Sequence, residues 1–254
     1  MQIKNVIIGN LNIRYYQSDV FDKNNALVYL HGWGSEAGHF KNILEKCGSF
    51  IAPDLPGFGG SSTPDGDWSL RDYADFLEKF LGKFGIENPI LAGHSFGGSV
   101  IIKYCASGGQ TKKIILIDSA GIRQKSLRIY LYVFIAKLGK IFFSLPGLNL
   151  VQNKARKKFH KVIDADDFSN LTAGPLKETF KNIIGEDLRQ DMGRIEVDTT
   201  IIWGEDDLAT PLREGEMMKN LIRNSKIFVI KKAGHYVFSD QEDIFKEIFL
   251  PALN

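Results

Sequence analysis

The stretch that decides the fold runs Pro89-Ile90-Leu91-Ala92-Gly93-His94-Ser95-Phe96-Gly97-Gly98-Ser99. Pro89–Ala92 is a short apolar run that reads as a strand, and Ser99–Ala106 reads as a helix. Between them, Gly93-His94-Ser95-Phe96-Gly97 fits Gly-x-Ser-x-Gly. A serine on a sharp strand-to-helix turn is forced into a strained backbone, and its hydroxyl projects from the sheet edge as a nucleophile. Glycines two residues before and after it leave room for close packing. The helix that follows adds a field favourable to negative charge. Gly and Ser are common in turns, so the strand before and the helix after carry the reading.

Outward from this turn, strands and helices alternate. Ile3–Ile8 and Leu11–Gln17 flank Gly9-Asn10 as a hairpin. Ala26–Leu30, Phe50–Pro53 and Lys113–Ile117 read as buried strands, with helices expected over Ala37–Cys47 and Leu70–Phe84. The pattern resumes with strands at Thr199–Trp203 and Lys226–Ile230 and helices at Leu212–Ile222 and Gln241–Phe249. Such alternation implies a mostly parallel sheet covered by helices on both faces. No strand is evident from Gly121 to about Asp198. That stretch is too long for a loop, so it reads as an inserted helical unit. The expected division is 1–120 with 199–254 as the core and 121–198 as the insertion.

A serine hydroxyl needs a base, and the base needs an orienting acid. Of the five histidines, His235 follows the last strand and should reach the same sheet edge as Ser95. His94 adjoins Ser95, but its side chain should diverge. His31 ends a buried strand and suits bracing a loop, His39 lies in an expected helix, and His160 sits in the basic run Lys157-Lys158-Phe159-His160-Lys161. For the acid, Asp206 and Asp207 follow one strand and Asp118 follows another, which leaves three candidates. Acyl transfer also needs preorganised donors for an oxyanion. The backbone N–H of Phe96 and that of Trp33, in His31-Gly32-Trp33-Gly34, suit this.

Together these residues resemble the α/β-hydrolase superfamily, over nearly the whole chain. The landmarks are His31-Gly32-Trp33, Asp54-Leu55-Pro56-Gly57-Phe58-Gly59, Gly93–Gly98, Gly204-Glu205-Asp206-Asp207 and Gly234-His235. The resemblance implies an α/β-hydrolase fold with a mostly parallel eight-stranded sheet and a helical lid at the insertion. It also implies Asp207 as the acid, the fourth residue of the Gly204 loop. Haloalkane dehalogenases and epoxide hydrolases carry Asp at the elbow, so Ser95 argues against both. The segment His31–Gly34 with Asp54–Gly59 is similar to pimeloyl-acyl-carrier-protein methyl ester esterases. The implied activity is carboxylic ester hydrolysis through an acyl-enzyme on Ser95, with apolar acyl or alcohol groups. Alternatives are a carbon–carbon bond hydrolase, an acyl-carrier-protein or thioester-type esterase, and a non-catalytic receptor on the same fold. No metal or organic cofactor is expected.

The charge balance qualifies the partners. The 254 residues carry 32 Lys+Arg against 30 Asp+Glu, a net +2. Gly121–Ile163 holds ten basic residues and no acid, whereas the remainder carries 22 basic against 30 acidic. A basic lid facing water is the plain reading. An anionic surface or an acyl carrier protein is the sharper one. No nucleic-acid motif accompanies the patch, so no nucleic acid is expected. Met1–Gly9 lacks a signal-peptide pattern. Around Leu127–Leu148 the charge-free run Ile129–Ala136 is far short of the roughly 20 residues that span a bilayer. A cytoplasmic protein without a transmembrane segment is the expectation. Cys47 and Cys105 are expected as inert thiols in helices, and Asp164, Asp166 and Asp167 as a solvated turn.

Overall fold

A computed structural model of the chain describes residues 1–123 and 176–254, and elements are numbered over those residues. The strands β1 (Gln2–Ile8) and β2 (Leu11–Gln17) form the expected antiparallel hairpin. Then β3 (Leu27–Leu30), β4 (Phe50–Pro53), β5 (Ile90–His94), β6 (Lys113–Ile117), β7 (Thr199–Gly204) and β8 (Ser225–Ile230) run parallel. All lie in one eight-stranded sheet ordered β1-β2-β4-β3-β5-β6-β7-β8. From β3 the chain winds outward to β4, then returns to place β5 on the other side of β3. A reversal of this kind opens a crevice at the C-terminal ends of the two central strands, here beside His31 and Ser95.

The helices are α1 (Lys41–Leu44), α2 (Leu70–Phe84), α3 (Phe96–Ala106), α4 (Lys177–Gly185), α5 (Arg189–Met192), α6 (Leu212–Leu221), α7 (Val237–Asp240) and α8 (Glu242–Ala252). Strand side chains alternate between the faces. Val28, Leu30, Leu91, Ile114 and Leu116 pack with Leu77, Phe80 and Val100 of α2 and α3. Leu27, Tyr29, Ala92, Ile115 and Ile117 pack with Ile43, Phe245 and Phe249 of α1 and α8. Both faces are covered, which is why these strands read as continuous apolar runs. On the second face Phe40 stacks on Tyr29 at 4.0 Å and meets Phe238, Phe245 and Phe249 edge-on.

Some boundaries differ from expectation. The helix expected over Ala37–Cys47 is a 3₁₀ turn, Ala37–Phe40, followed by the single turn of α1. The buried Asp54 carboxylate captures the Ala37 amide at 2.9 Å and pins the first turn there. At the other end the Lys46 and Cys47 amides fold back to Ile43 and Leu44 at 3.0 and 2.9 Å, so Cys47 lies in a turn after the helix. β5 runs on to His94 and α3 begins at Phe96, which shortens the elbow to Ser95 alone.

Residues 124–175, with most of the expected lid, the basic residues from Lys125 to Lys161, His160 and the three aspartates Asp164, Asp166 and Asp167, lie outside the described residues. The rest of the expected insertion holds α4 and α5, which dock on the core. The Trp68 amide donates to Thr179 Oγ1 at 2.9 Å and the Leu188 amide to the Gly121 carbonyl at 2.8 Å. Lys103 of α3 pairs with Glu186 and Asp191, each at 3.2 Å. Among the described residues no helix is long and apolar enough to cross a membrane.

Candidate active site

Ser95 alone links β5 to α3, at φ 50° and ψ −114°. A side-chain-bearing residue at positive φ is strained and persists only where its surroundings hold it. Here the end of β6 does so: the Ser95 amide donates to the Ile117 carbonyl at 3.0 Å, and the Ser95 carbonyl accepts from the Ala120 amide at 3.1 Å. Gly97 is required for close approach, because a Cβ there would lie 2.3 Å from the Leu30 carbonyl oxygen. The resulting half-exposed Ser95 faces the histidine that follows β8.

His235 Nε2 lies 3.0 Å from Ser95 Oγ, and its Nδ1 lies 2.8 Å from Asp207 Oδ2. A carboxylate can only accept, so Nδ1 carries the proton and Nε2 is left to accept from the serine hydroxyl. Asp207 is sealed, with a side chain 0% exposed against 20% for His235. Its Oδ1 accepts from the amides of Ala209 and Thr210 at 2.8 and 2.9 Å, and its Oδ2 from the Thr210 hydroxyl at 2.7 Å. Burial acts to raise the Asp207 carboxyl. The hydrogen bond and attraction to His235, with the Thr210 bonds, outweigh it and hold the group below the ordinary carboxylate range. Asp206 is exposed and its amide donates to the Ala233 carbonyl at 2.9 Å.

Asp118, the third candidate acid, is fully buried and points elsewhere. Its Oδ1 accepts from the Gly204 amide at 2.8 Å and its Oδ2 from the Val237 amide at 3.3 Å. Burial pushes this carboxyl up from 3.8 to about 8, against the Gly204 hydrogen bond, and the nearby Asp207 charge adds to the rise. The linkage has a definite sign. Folding favours the protonated form, so this group's contribution is fully present below about 4 and is lost as pH climbs towards about 8. Asp118→Asn removes that dependence. Denaturation midpoints across this window should show the variant gaining on the wild type as pH rises; a pH-independent difference would contradict the shift.

His31 and His94 brace the site. His31 is buried, its Nδ1 donates to the Gly32 carbonyl at 2.7 Å, and its Nε2 accepts from the Leu55 amide at 2.8 Å. Burial holds it down at about 4, so it is neutral at neutral pH. His94 diverges from Ser95 as expected, but reaches the other side of the same site. Its Nε2 donates to the His235 carbonyl at 2.8 Å, and burial, with His235 alongside, depresses it to about 3. His39 Nδ1 meets Ser35 Oγ at 2.8 Å.

The two proposed amide donors sit beside the elbow. Phe96 opens α3, so its N–H has no intrahelical acceptor. Gly32–Ser35 forms a tight turn closed by the Ser35 amide on the Gly32 carbonyl at 3.3 Å, a bond that does not use the Trp33 amide. Gly32 is pressed on the elbow: a Cβ there would lie 2.9 Å from His94 Nδ1 and 3.3 Å from Ser95 Cβ. The Trp33 ring packs against Phe58, Phe96 and Phe180 at 4.7, 5.3 and 5.1 Å. Among the described residues no group of three or more His, Cys, Asp or Glu gathers to hold a metal. Cys47 is buried and Cys105 half-buried, and burial pushes both thiols up to about 12.

Thr210 and the inward role of His94 were not foreseen. Thr210 had a local signal, since an aspartate commonly accepts from amides two and three residues on, as Asp207 does from Ala209 and Thr210. His94 had one in strand periodicity, which turns it away from Ser95 and towards the loop bearing His235.

Among known proteins the chain is similar to the AB hydrolase superfamily protein YisY of Bacillus subtilis, 29% identical over 85% of this chain and 87% of that one. It is 25% identical to a 2-hydroxy-6-oxo-6-phenylhexa-2,4-dienoate hydrolase of Burkholderia cepacia, over 96% and 93% of the two chains. Lipase 3 of a Moraxella strain is 22% identical over 92% and 79%. Among solved structures, a bromoperoxidase from Bacillus anthracis superposes with a TM-score of 0.75, at 21% identity and 99% coverage of both chains. The model of the alpha/beta hydrolase family matches residues 27–247. With its sheet order, its elbow at Ser95 and this match, the chain belongs to the alpha/beta hydrolase family.

Proposed function

We propose that this hydrolase cleaves carboxylic esters through an acyl-enzyme on Ser95. The observation that carries the reading is the continuous path from Ser95 Oγ through His235 to the sealed Asp207, at 3.0 and 2.8 Å. His235 Nε2 takes the hydroxyl proton as Oγ attacks the acyl carbonyl, then returns it to the leaving alcohol. Asp207 holds the Nδ1–H tautomer and stabilises the imidazolium. The amides of Trp33 and Phe96 receive the oxyanion. Water, deprotonated by His235, releases the acid. Every step uses side chains and amides of this chain. The aromatic group of Trp33, Phe58, Phe96 and Phe180 beside the elbow favours an apolar acyl or alcohol group. We read 121–198 as the cap over this site, with its basic segment as the place for any anionic contact.

A second reading, carbon–carbon bond hydrolysis, is favoured by the similarity to the dienoate hydrolase over 96% of this chain. A panel of p-nitrophenyl esters of increasing acyl length, set beside ring-fission dienones, separates the two. The ester reading expects turnover of the esters, with a preference among chain lengths. Turnover confined to the dienones would replace it. Repeating the panel with anionic lipid at two salt concentrations tests the basic segment.

A further inference from the structure

The loops that carry Ser95, Asp207 and His235 come from three different strand ends, and one side chain ties the second to the third. Asp118, the residue after β6, is 0% exposed and held at φ 41°. Its Oδ1 takes the Gly204 amide at 2.8 Å, at the start of the loop that ends in Asp207. Its Oδ2 takes the Val237 amide at 3.3 Å, two residues beyond His235. Its carbonyl oxygen lies 3.0 Å from Thr210 Oγ1, whose proton goes to Asp207 Oδ2 at 2.7 Å and which also lies 3.2 Å from His235 Nδ1. Its chain neighbours Ile117 and Ala120 clamp the Ser95 backbone on both sides.

We infer that Asp118 is a positioning residue, which sets the His235–Asp207 pair against Ser95 without touching the reacting atoms. The inference rests on the proposed serine mechanism. Burying a carboxyl is unfavourable, and a residue with a side chain at positive φ adds strain. Both are borne at a position that reaches the acid loop and the base loop together. Asparagine keeps the shape but has one acceptor oxygen, so one amide, the longer Val237 contact, loses its partner.

The test measures the rate of Ser95 labelling by a fluorophosphonate probe in wild type, Asp118→Asn, Asp207→Asn and the double variant. Asp118→Asn is expected to slow labelling by about 10- to 100-fold, the scale of a small misplacement of reacting groups. In the Asp207→Asn background the same change is expected to add little, because it acts through the acid. Leu81→Ala, a core truncation on α2, should lower the melting temperature and leave labelling unchanged. An unchanged rate in Asp118→Asn overturns the inference, as do multiplicative losses in the double variant. A loss as large as that of Asp207→Asn also overturns it, by making Asp118 the acid. If folded wild type does not label at all, the serine mechanism itself fails and the inference falls with it.

Discussion

Ser95→Ala lowers kcat for short p-nitrophenyl esters by about 10⁶-fold while the protein stays folded, if the serine is the nucleophile. The substitution removes one oxygen and nothing else from the site. The elbow is held by backbone bonds from Ile117 and to Ala120, and the Ser95 side chain caps no helix amide. The strained φ of 50° is as tolerable for alanine as for serine, so the melting temperature should barely move. The residual rate then reports what the amide donors and binding supply without a nucleophile. Activity near wild type in a verified Ser95→Ala sample would show that the chemistry lies elsewhere.

Asp207→Asn is expected to lower kcat by about 10⁴-fold with little change in KM. The asparagine oxygen can still take the Ala209 and Thr210 amides, which hold Oδ1 at 2.8 and 2.9 Å, so the loop should keep its shape. That choice turns the amide NH₂ towards His235 Nδ1. The imidazole must then present a lone pair at Nδ1 and its proton at Nε2, where the Ser95 hydroxyl needs an acceptor. Asp206→Asn is the comparison. Asp206 is exposed and its amide, not its side chain, bonds the Ala233 carbonyl, so its loss should be small. Steady-state kinetics of the two variants decide the matter. A larger fall at Asp206 would move the acid.

How much of this was legible before any coordinates depends on the range of the forces involved. The elbow was readable because strand, glycines and helix start lie within one short stretch, so local chemistry determines it. The choice of His235 needed only the knowledge that its strand ends at the same sheet edge as β5. Leu70–Phe84 was legible from the helical period of its apolar residues, and the structure bounds it with the Ser69–Asp72 capping box and Gly85 at φ 62°. The segment Ala37–Cys47 is a 3₁₀ turn and the single turn of α1 in place of one helix, and the carboxylate that holds its Ala37 amide, Asp54, lies 17 positions on. Asp118 shows the same limit. On paper it was one of three acidic residues following strands. Its partners Gly204 and Val237 are 86 and 119 residues away, and no local pattern announces them. His94 was turned correctly from Ser95, yet its bond to the His235 carbonyl spans 141 residues and appears only when β5 and the last loop meet.

The central claim is that Ser95 becomes acylated. Peptide mapping by mass spectrometry after exposure of the folded chain to a fluorophosphonate tests it most directly. The expected result is one adduct, on the peptide containing Gly93–Gly97, absent in Ser95→Ala and slowed in Asp207→Asn. A folded wild type that carries no adduct, or one modified at another residue, would contradict the account.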